Sequence, residues 1–213
     1  MIVIFDLDGT LIDSVPDIHA TANAVLADEG LADFDIETIR SFVGRGVPML
    51  VGQMLDAHGI SDTERAERMV ANLVARYETA VGLTVPYPGV EAALKVLQAR
   101  GDILGICTNK PALPAQAVLR HLRLDTYFAE VIGGDSGLPR KPDPAMLQRI
   151  HQNLGGGEAV YVGDSETDAE TASAAGLPLF LFTEGYRKVP AESLPHRALF
   201  SDFSDLPALI SRS

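Results

Sequence analysis

Four groups of polar residues carry the chemistry open to this sequence, and each follows a short apolar run. Asp6 and Asp8 stand directly after Met1–Phe5, with Leu7 between them and Gly9 and Thr10 behind. Thr108, Asn109 and Lys110 follow a second run, Ile103–Cys107. Arg140-Lys141-Pro142-Asp143-Pro144 comes after Glu130–Ile132, beyond Gly133 and Gly134. Gly163-Asp164-Ser165-Glu166-Thr167-Asp168 follows Ala159–Val162. Carboxylates as close as Asp6 and Asp8, set beside buried surface, repel each other and resist ionisation unless a cation holds them. Two such groups with Asp164 would form an oxygen-rich pocket suited to Mg²⁺.

Taken singly, each group has a plainer explanation. Asp164 could N-cap the helix that runs through Glu170. Thr108 and Asn109 could satisfy their own loop backbone, and Lys141 could be a solvated surface lysine. What outweighs these is the coincidence of position. In an open parallel sheet, ligands sit outside the carboxyl ends of the strands, and all four groups occupy strand ends.

The elements that must position them are legible as alternating patterns. Ile2–Phe5, Ile103–Cys107, Glu130–Ile132, Ala159–Val162 and Leu179–Phe182 are short, mainly apolar runs rather than alternating ones, which suits parallel strands buried on both faces. Between them lie amphipathic helix patterns. Val90, Ala93, Leu94 and Leu97 share one face, and Gly101 is placed to end that helix. Val118, Leu119 and Leu122, then Met146, Leu147 and Ile150, form further stripes. The alternation predicts an α/β fold, a doubly wound parallel sheet. From about Ser14 to Val85 it lapses: helix stripes such as Ile18, Ala22, Val25 and Leu26 occur without a convincing strand. Ser61 and Glu64 have capping-box spacing ahead of a charged helix. The expected organisation is therefore a core of residues 1–13 and 86–213 with a helical domain, 14–85, inserted after the first strand.

FDLDGTLIDS, then TNK, KPDP and GDSETD in that order, resembles the haloacid dehalogenase superfamily of phosphotransferases, over motifs spanning Asp6 to Asp168. The resemblance implies a Rossmann-like core with a small helical cap that closes over the site and selects the substrate. It implies Asp6 as the nucleophile that forms an aspartyl-phosphate, and Asp8 as general acid and then base. Mg²⁺ is expected on Asp6 and Asp164, with the backbone carbonyl of Asp8 as a further ligand. Asp168 would close the outer shell or orient Lys141. Lys141 would offset the charge of the transferring phosphoryl group, which Thr108 and Asn109 would hydrogen-bond. Thr10 is counted among the substrate-binding residues. Because a leaving alkoxide needs a proton and a halide does not, Asp8 favours phosphate-ester over carbon–halogen chemistry.

Within the superfamily, the stretch DGTLIDSVPDIHATANAVLADEGL and the cap loop Phe42-Val43-Gly44-Arg45-Gly46 look most like bacterial phosphoglycolate phosphatases. Gly44 and Gly46 would let the cap turn tightly towards substrate, and Arg45 could hold a small carboxylate. The expected activity is hydrolysis of a small anionic phosphate ester, 2-phosphoglycolate first. A β-phosphoglucomutase-like phosphomutase, or a phosphatase for another sugar phosphate or a nucleotide, is the enzymatic alternative. A phospho-accepting receiver domain fits less well, being shorter and without a helical insertion after the first strand.

Bulk properties narrow the field. The formal net charge is -12, which repels nucleic acid and anionic membranes. No apolar run approaches the ~20 residues needed to span a bilayer, and a single cysteine, Cys107, excludes an internal disulfide framework and fits a cytoplasmic setting. A monomer or homodimer is expected.

Overall fold

The computed structural model describes residues 1–211. The chain runs through β1 (Ile2–Phe5), β2 (Ile12–Asp13), helices α1 (Val15–Asp28), α2 (Ile36–Phe42), α3 (Val47–Ala57) and α4 (Thr63–Tyr77), then β3 (Val85–Pro86). There follow α5 (Val90–Ala99), β4 (Ile103–Cys107), α6 (Ala112–His121), β5 (Glu130–Ile132) and α7 (Ala145–Asn153). The last part comprises β6 (Ala159–Gly163), α8 (Glu166–Ala175), β7 (Leu179–Phe182), β8 (Ala198–Phe200) and α9 (Leu206–Ser211).

Six strands form one parallel sheet in the order β5-β4-β1-β6-β7-β8. β1 is central: Ile2 pairs in register with Ile103 of β4 on one side and Ala159 of β6 on the other. Side chains alternate across a strand, so a sheet covered on both faces must be apolar at every position. Val3 and Phe5 pack into one core with Leu94 and Leu97 of α5, Leu119 of α6 and Ile210 of α9. Ile2 and Ile4 pack into the opposite core with Leu147 and Ile150 of α7 and Ala172 of α8. Phe5 is fully buried at the sheet centre, and its truncation to Ala would cost about 3–5 kcal/mol.

Helices α1–α4 build a separate core from Ile18, Leu26, Ile39, Met54, Leu73 and their neighbours. This insertion is joined to the sheet by the two-stranded ribbon β2–β3, in which Asp13 pairs antiparallel with Val85. The Asp17 carboxylate, buried in the first turn of α1, accepts hydrogen bonds from Leu83 N, Thr84 N and Thr84 Oγ1 at 2.6–3.0 Å. It ties the outgoing chain to the incoming one.

Three local features depart from the sequence expectation. Helix α4 is capped by Asp62, whose side chain accepts from Arg65 N at 3.0 Å, and not by Ser61; the residue nearer the first turn supplies the cap oxygen. Helix α8 is capped by Ser165 in a capping box with Asp168, which frees Asp164 from a capping role. The strands β2, β3 and β8 are two or three residues long, too short to produce a periodic pattern.

Candidate active site

The carboxyl ends of β1, β4 and β6 lie side by side, and the ladder continues one residue beyond β1 and β4. Asp6 N donates to Val162 O at 2.8 Å and Thr108 N to Ile132 O at 3.0 Å. The first polar residue after each strand is thereby fixed by backbone hydrogen bonds before its side chain makes any contact. Asp6, Asp164 and Asp168 converge: one carboxylate oxygen of each lies within 4.8 Å of the others, and all three residues are buried. Lys141, 3% exposed, enters from the loop after β5 and places Nζ 2.9 Å from Asp6 Oδ1 and 2.8 Å from Asp168 Oδ1.

Asp168 is saturated. Its Oδ1 accepts from Lys141 Nζ and from the Tyr161 hydroxyl, both at 2.8 Å. Its Oδ2 accepts from Asp164 N, Ser165 N and Ser165 Oγ. One carboxylate therefore serves both the capping box of α8 and the orientation of Lys141. The Tyr161 hydroxyl closes the arrangement by accepting from Lys141 Nζ at 2.9 Å.

Asp164 sits in a cradle. Thr10 Oγ1 donates to its Oδ1 and Tyr186 N to its Oδ2, each at 2.7 Å. Gly9 and Gly185 make room: a Cβ on Gly9 would lie 2.6 Å from Asp164 Oδ2, and one on Gly185 would collide with the same atom. Gly9 also has φ +90°, a conformation that side-chain-bearing residues avoid. Thr10 is thus committed to positioning Asp164, and the structure does not present it to a substrate.

Electrostatics make the cluster short of positive charge. Burial pushes the Asp6 carboxyl up to about 7, with Lys141 opposing and the Asp168 charge adding to the rise. Burial, then the charges of Asp168 and Asp6, also raises Asp164 well above the ordinary carboxylate range. Burial would raise Asp168 too, but Lys141 holds it below that range. Burial alone would lower Lys141, but Asp168 and Asp6 hold it above the usual lysine range. Three carboxylates face one ammonium. Asp6 Oδ1 has the Lys141 charge beside it but no donor in hydrogen-bonding geometry. Buried oxygens with two surplus negative charges fit a hard divalent cation.

Asp8 stands apart from this cluster. Its Oδ1 accepts from Ser14 Oγ at 2.6 Å and from Lys110 Nζ at 3.1 Å. With Asp6, Thr108 and Lys110 it forms the floor of a cleft whose roof is Phe42, Gly44, Gly46 and Tyr77 of the helical insertion. Thr108 is buried and open to this cleft. Asn109 is not available to it: both N–H groups are spent on Gly44 O and Lys141 O, and its Oδ1 accepts from Lys141 N, each at 3.0 Å. The side chain expected to hold phosphoryl oxygens instead braces Lys141 and clamps the insertion to the sheet. Gly44 and Gly46 take φ +119° and +84°. Arg45 between them is exposed and lines a second cleft with Gln53, Glu166 and Lys188, and that cleft also reaches Asp6, Asp8 and Asp164.

Sequence reasoning placed Lys110 in the second polar group without giving it a role, and it missed Ser14, Tyr161 and Tyr186 as parts of the site.

The sheet order, the strand-end acids and the buried lysine define a hydrolase of the haloacid dehalogenase type. The chain belongs to that family, matching haloacid dehalogenase-like hydrolases over residues 3–182. Among its relatives is the phosphoglycolate phosphatase of Rhodobacter capsulatus, 50% identical over 210 residues that cover 98% of this chain and 95% of that one. The phosphoglycolate phosphatase of Rhodospirillum rubrum is 41% identical, over 96% of this chain and 88% of its own. A predicted phosphoglycolate phosphatase from Haemophilus somnus has a solved structure similar to this one, with a TM-score of 0.91 at 28% identity over 98% and 97% of the two chains. No helix among the described residues is long and apolar enough to cross a membrane.

Proposed function

We propose that this chain is a Mg²⁺-dependent phosphomonoesterase that hydrolyses 2-phosphoglycolate to glycolate and phosphate through an aspartyl-phosphate on Asp6. The observation that carries the chemistry is Asp6 itself, a buried carboxylate beside Lys141 with an oxygen that no donor satisfies. The substrate rests on the full-length similarity to phosphoglycolate phosphatases.

Asp6 and Asp164, with the backbone carbonyl of Asp8, would hold the cation. Bound there, Mg²⁺ neutralises the facing anions and the charge on the transferring phosphoryl group. Asp168 makes its contribution through Lys141, since both its oxygens are occupied by other donors. A carboxylate oxygen of Asp6 attacks phosphorus, and the bond from phosphorus to the ester oxygen breaks. Asp8, on the floor of the cleft, gives a proton to that oxygen so that an alcohol leaves. Water then attacks the phosphoaspartate as Asp8 takes its proton, and the phosphorus–Asp6 bond breaks to release phosphate. Lys141 and the Thr108 hydroxyl stabilise the oxygens of the moving group. Residues 14–85 act as the cap that shelters these steps from bulk water.

Turnover of a panel of 2-phosphoglycolate, hexose phosphates and nucleoside monophosphates, measured with Mg²⁺, tests the reading. The expected result is release of inorganic phosphate with kcat/KM highest for 2-phosphoglycolate. An isomerised sugar phosphate with little free phosphate, or a preference for nucleotides, would overturn it.

A further inference from the structure

Of the two clefts that reach Asp6 and Asp8, the one walled by Leu50 and Tyr77 has one cation among its lining residues, and it is Lys110. Its side chain is 8% exposed, and Nζ lies 3.1 and 3.4 Å from the two Asp8 oxygens. On its other side Nζ lies 4.9 Å from the ring centroid of Tyr77 in α4. Among the described residues Asp8 is its only hydrogen-bond acceptor. An ammonium has three donors, so a nearly dry lysine held in this way can still take a second anion. The remaining walls are apolar, including Ile18, Phe42, Val47 and Leu50.

We propose that Lys110 forms the subsite for the non-reacting end of the substrate, a carboxylate one carbon from the ester-bearing carbon or closer. This rests on the phosphomonoesterase reading, in which the ester oxygen meets Asp8. Nζ then lies within about two hydrogen-bond lengths of that oxygen, and an anion held on Nζ within about three, each roughly 3 Å. A carboxylate on a two-carbon skeleton lies inside that limit. The aromatic face and apolar walls lower the local dielectric, which strengthens a charge-assisted pair and penalises a neutral tail that leaves the ammonium underused. Arg45 and Lys188 line the second cleft, which also reaches Asp6 and Asp8, but neither lines the one that holds Lys110. The loop after β4 thus has three tasks in consecutive residues: Thr108 faces the phosphoryl group, Asn109 clamps the insertion, and Lys110 selects the tail.

The test compares 2-phosphoglycolate with ethyl phosphate, which replaces the carboxylate by a methyl group, using enzyme saturated with Mg²⁺. The ratio of their kcat/KM values is measured for the wild type, Lys110→Met, Lys110→Arg and Arg45→Ala. Loss of a buried charge-assisted contact predicts a fall in that ratio of roughly 10- to 100-fold in Lys110→Met, with most of the preference retained in Lys110→Arg. Should the methionine variant not fold, Lys110→Gln carries the same comparison. An equal loss on both esters would reduce Lys110 to positioning Asp8 and overturn the proposal, as would a collapse of the ratio confined to Arg45→Ala. A wild type with no preference between the two esters would refute the phosphoglycolate assignment itself, a different failure from an intact preference that ignores Lys110.

Discussion

The two ends of the cleft are built on different principles. At the sheet end, Asp164, Asp168 and Lys141 are each held by at least two hydrogen bonds, from elements that the backbone ladder has already fixed. At the cap end, Asp8 and Lys110 hold mainly each other, and the facing roof is Gly44, Gly46 and apolar side chains. The first arrangement has one geometry open to it; the second contains an ion pair whose partners a ligand can take over. Reaction type belongs to the over-determined end together with Asp8, and substrate choice to Lys110 and the roof, which is how a single fold serves many substrates.

Substitutions at the sheet end and at Asp8 should act on every phosphate ester alike, and those at Lys110 and in the roof should separate them. The largest effect is expected for Asp6→Asn, which removes the nucleophile: turnover of all esters should fall by at least about 10³-fold, while circular dichroism reports an intact fold. Residual activity that depends on the ester would break the division of labour.

Next in size is a stability effect confined to the sheet end. In protein stripped of metal by EDTA, the raised Asp6 and Asp164 keep protons that the unfolded chain has already released. From about pH 4 to 7 the folded state therefore binds more protons, and stability must fall as pH rises. The melting temperature of the chelated protein should be lower at pH 8 than at pH 5, and Mg²⁺ should raise it more at pH 8. A chelated protein that melts higher at pH 8 would show that the acids are not crowded in this way.

The smallest effect belongs to Tyr186, which touches both regions. Its backbone N–H holds Asp164, while its hydroxyl accepts from Ser14 N at 2.8 Å and donates to Asp13 Oδ1 at 2.7 Å, where the insertion begins. Tyr186→Phe keeps the first contact and loses the second. It should cost about 1 kcal/mol, a drop of roughly 2–4 °C in Tm, with Mg²⁺ affinity from calorimetry unchanged. A several-fold loss of affinity would show that the ends are coupled.

Much of this was legible before any coordinates. Continuous apolar strands declared a sheet covered on both faces, and a polar group after each strand located the site without knowledge of side-chain directions. What could not be read was the direction in which each polar group spends its hydrogen bonds. Thr10 and Asn109 stand in motifs beside the nucleophile or after a strand, yet both are turned onto protein partners. A hydroxyl or an amide is equally able to brace a neighbour or to bind a ligand, and sequence does not distinguish the two. Lys110 stands in the second polar group, but its role is not legible because its partner, Asp8, is 102 positions away. Arg45 drew notice by lying between two glycines, a local cue that says nothing of which cleft it faces.

The Asp17 staple across the entry and exit of the insertion has a consequence for the history of such chains. Once the two crossing strands are pinned together, the sheet sees a closed turn, whatever the segment beyond it contains. The entropy of holding that loop closed grows only slowly with its length. Helices could be lengthened, exchanged or replaced there without disturbing Asp6, which precedes the ribbon in sequence and is already fixed by β1. The ribbon is a socket, and new specificities can be plugged into it while the hydrolytic centre stays as it is.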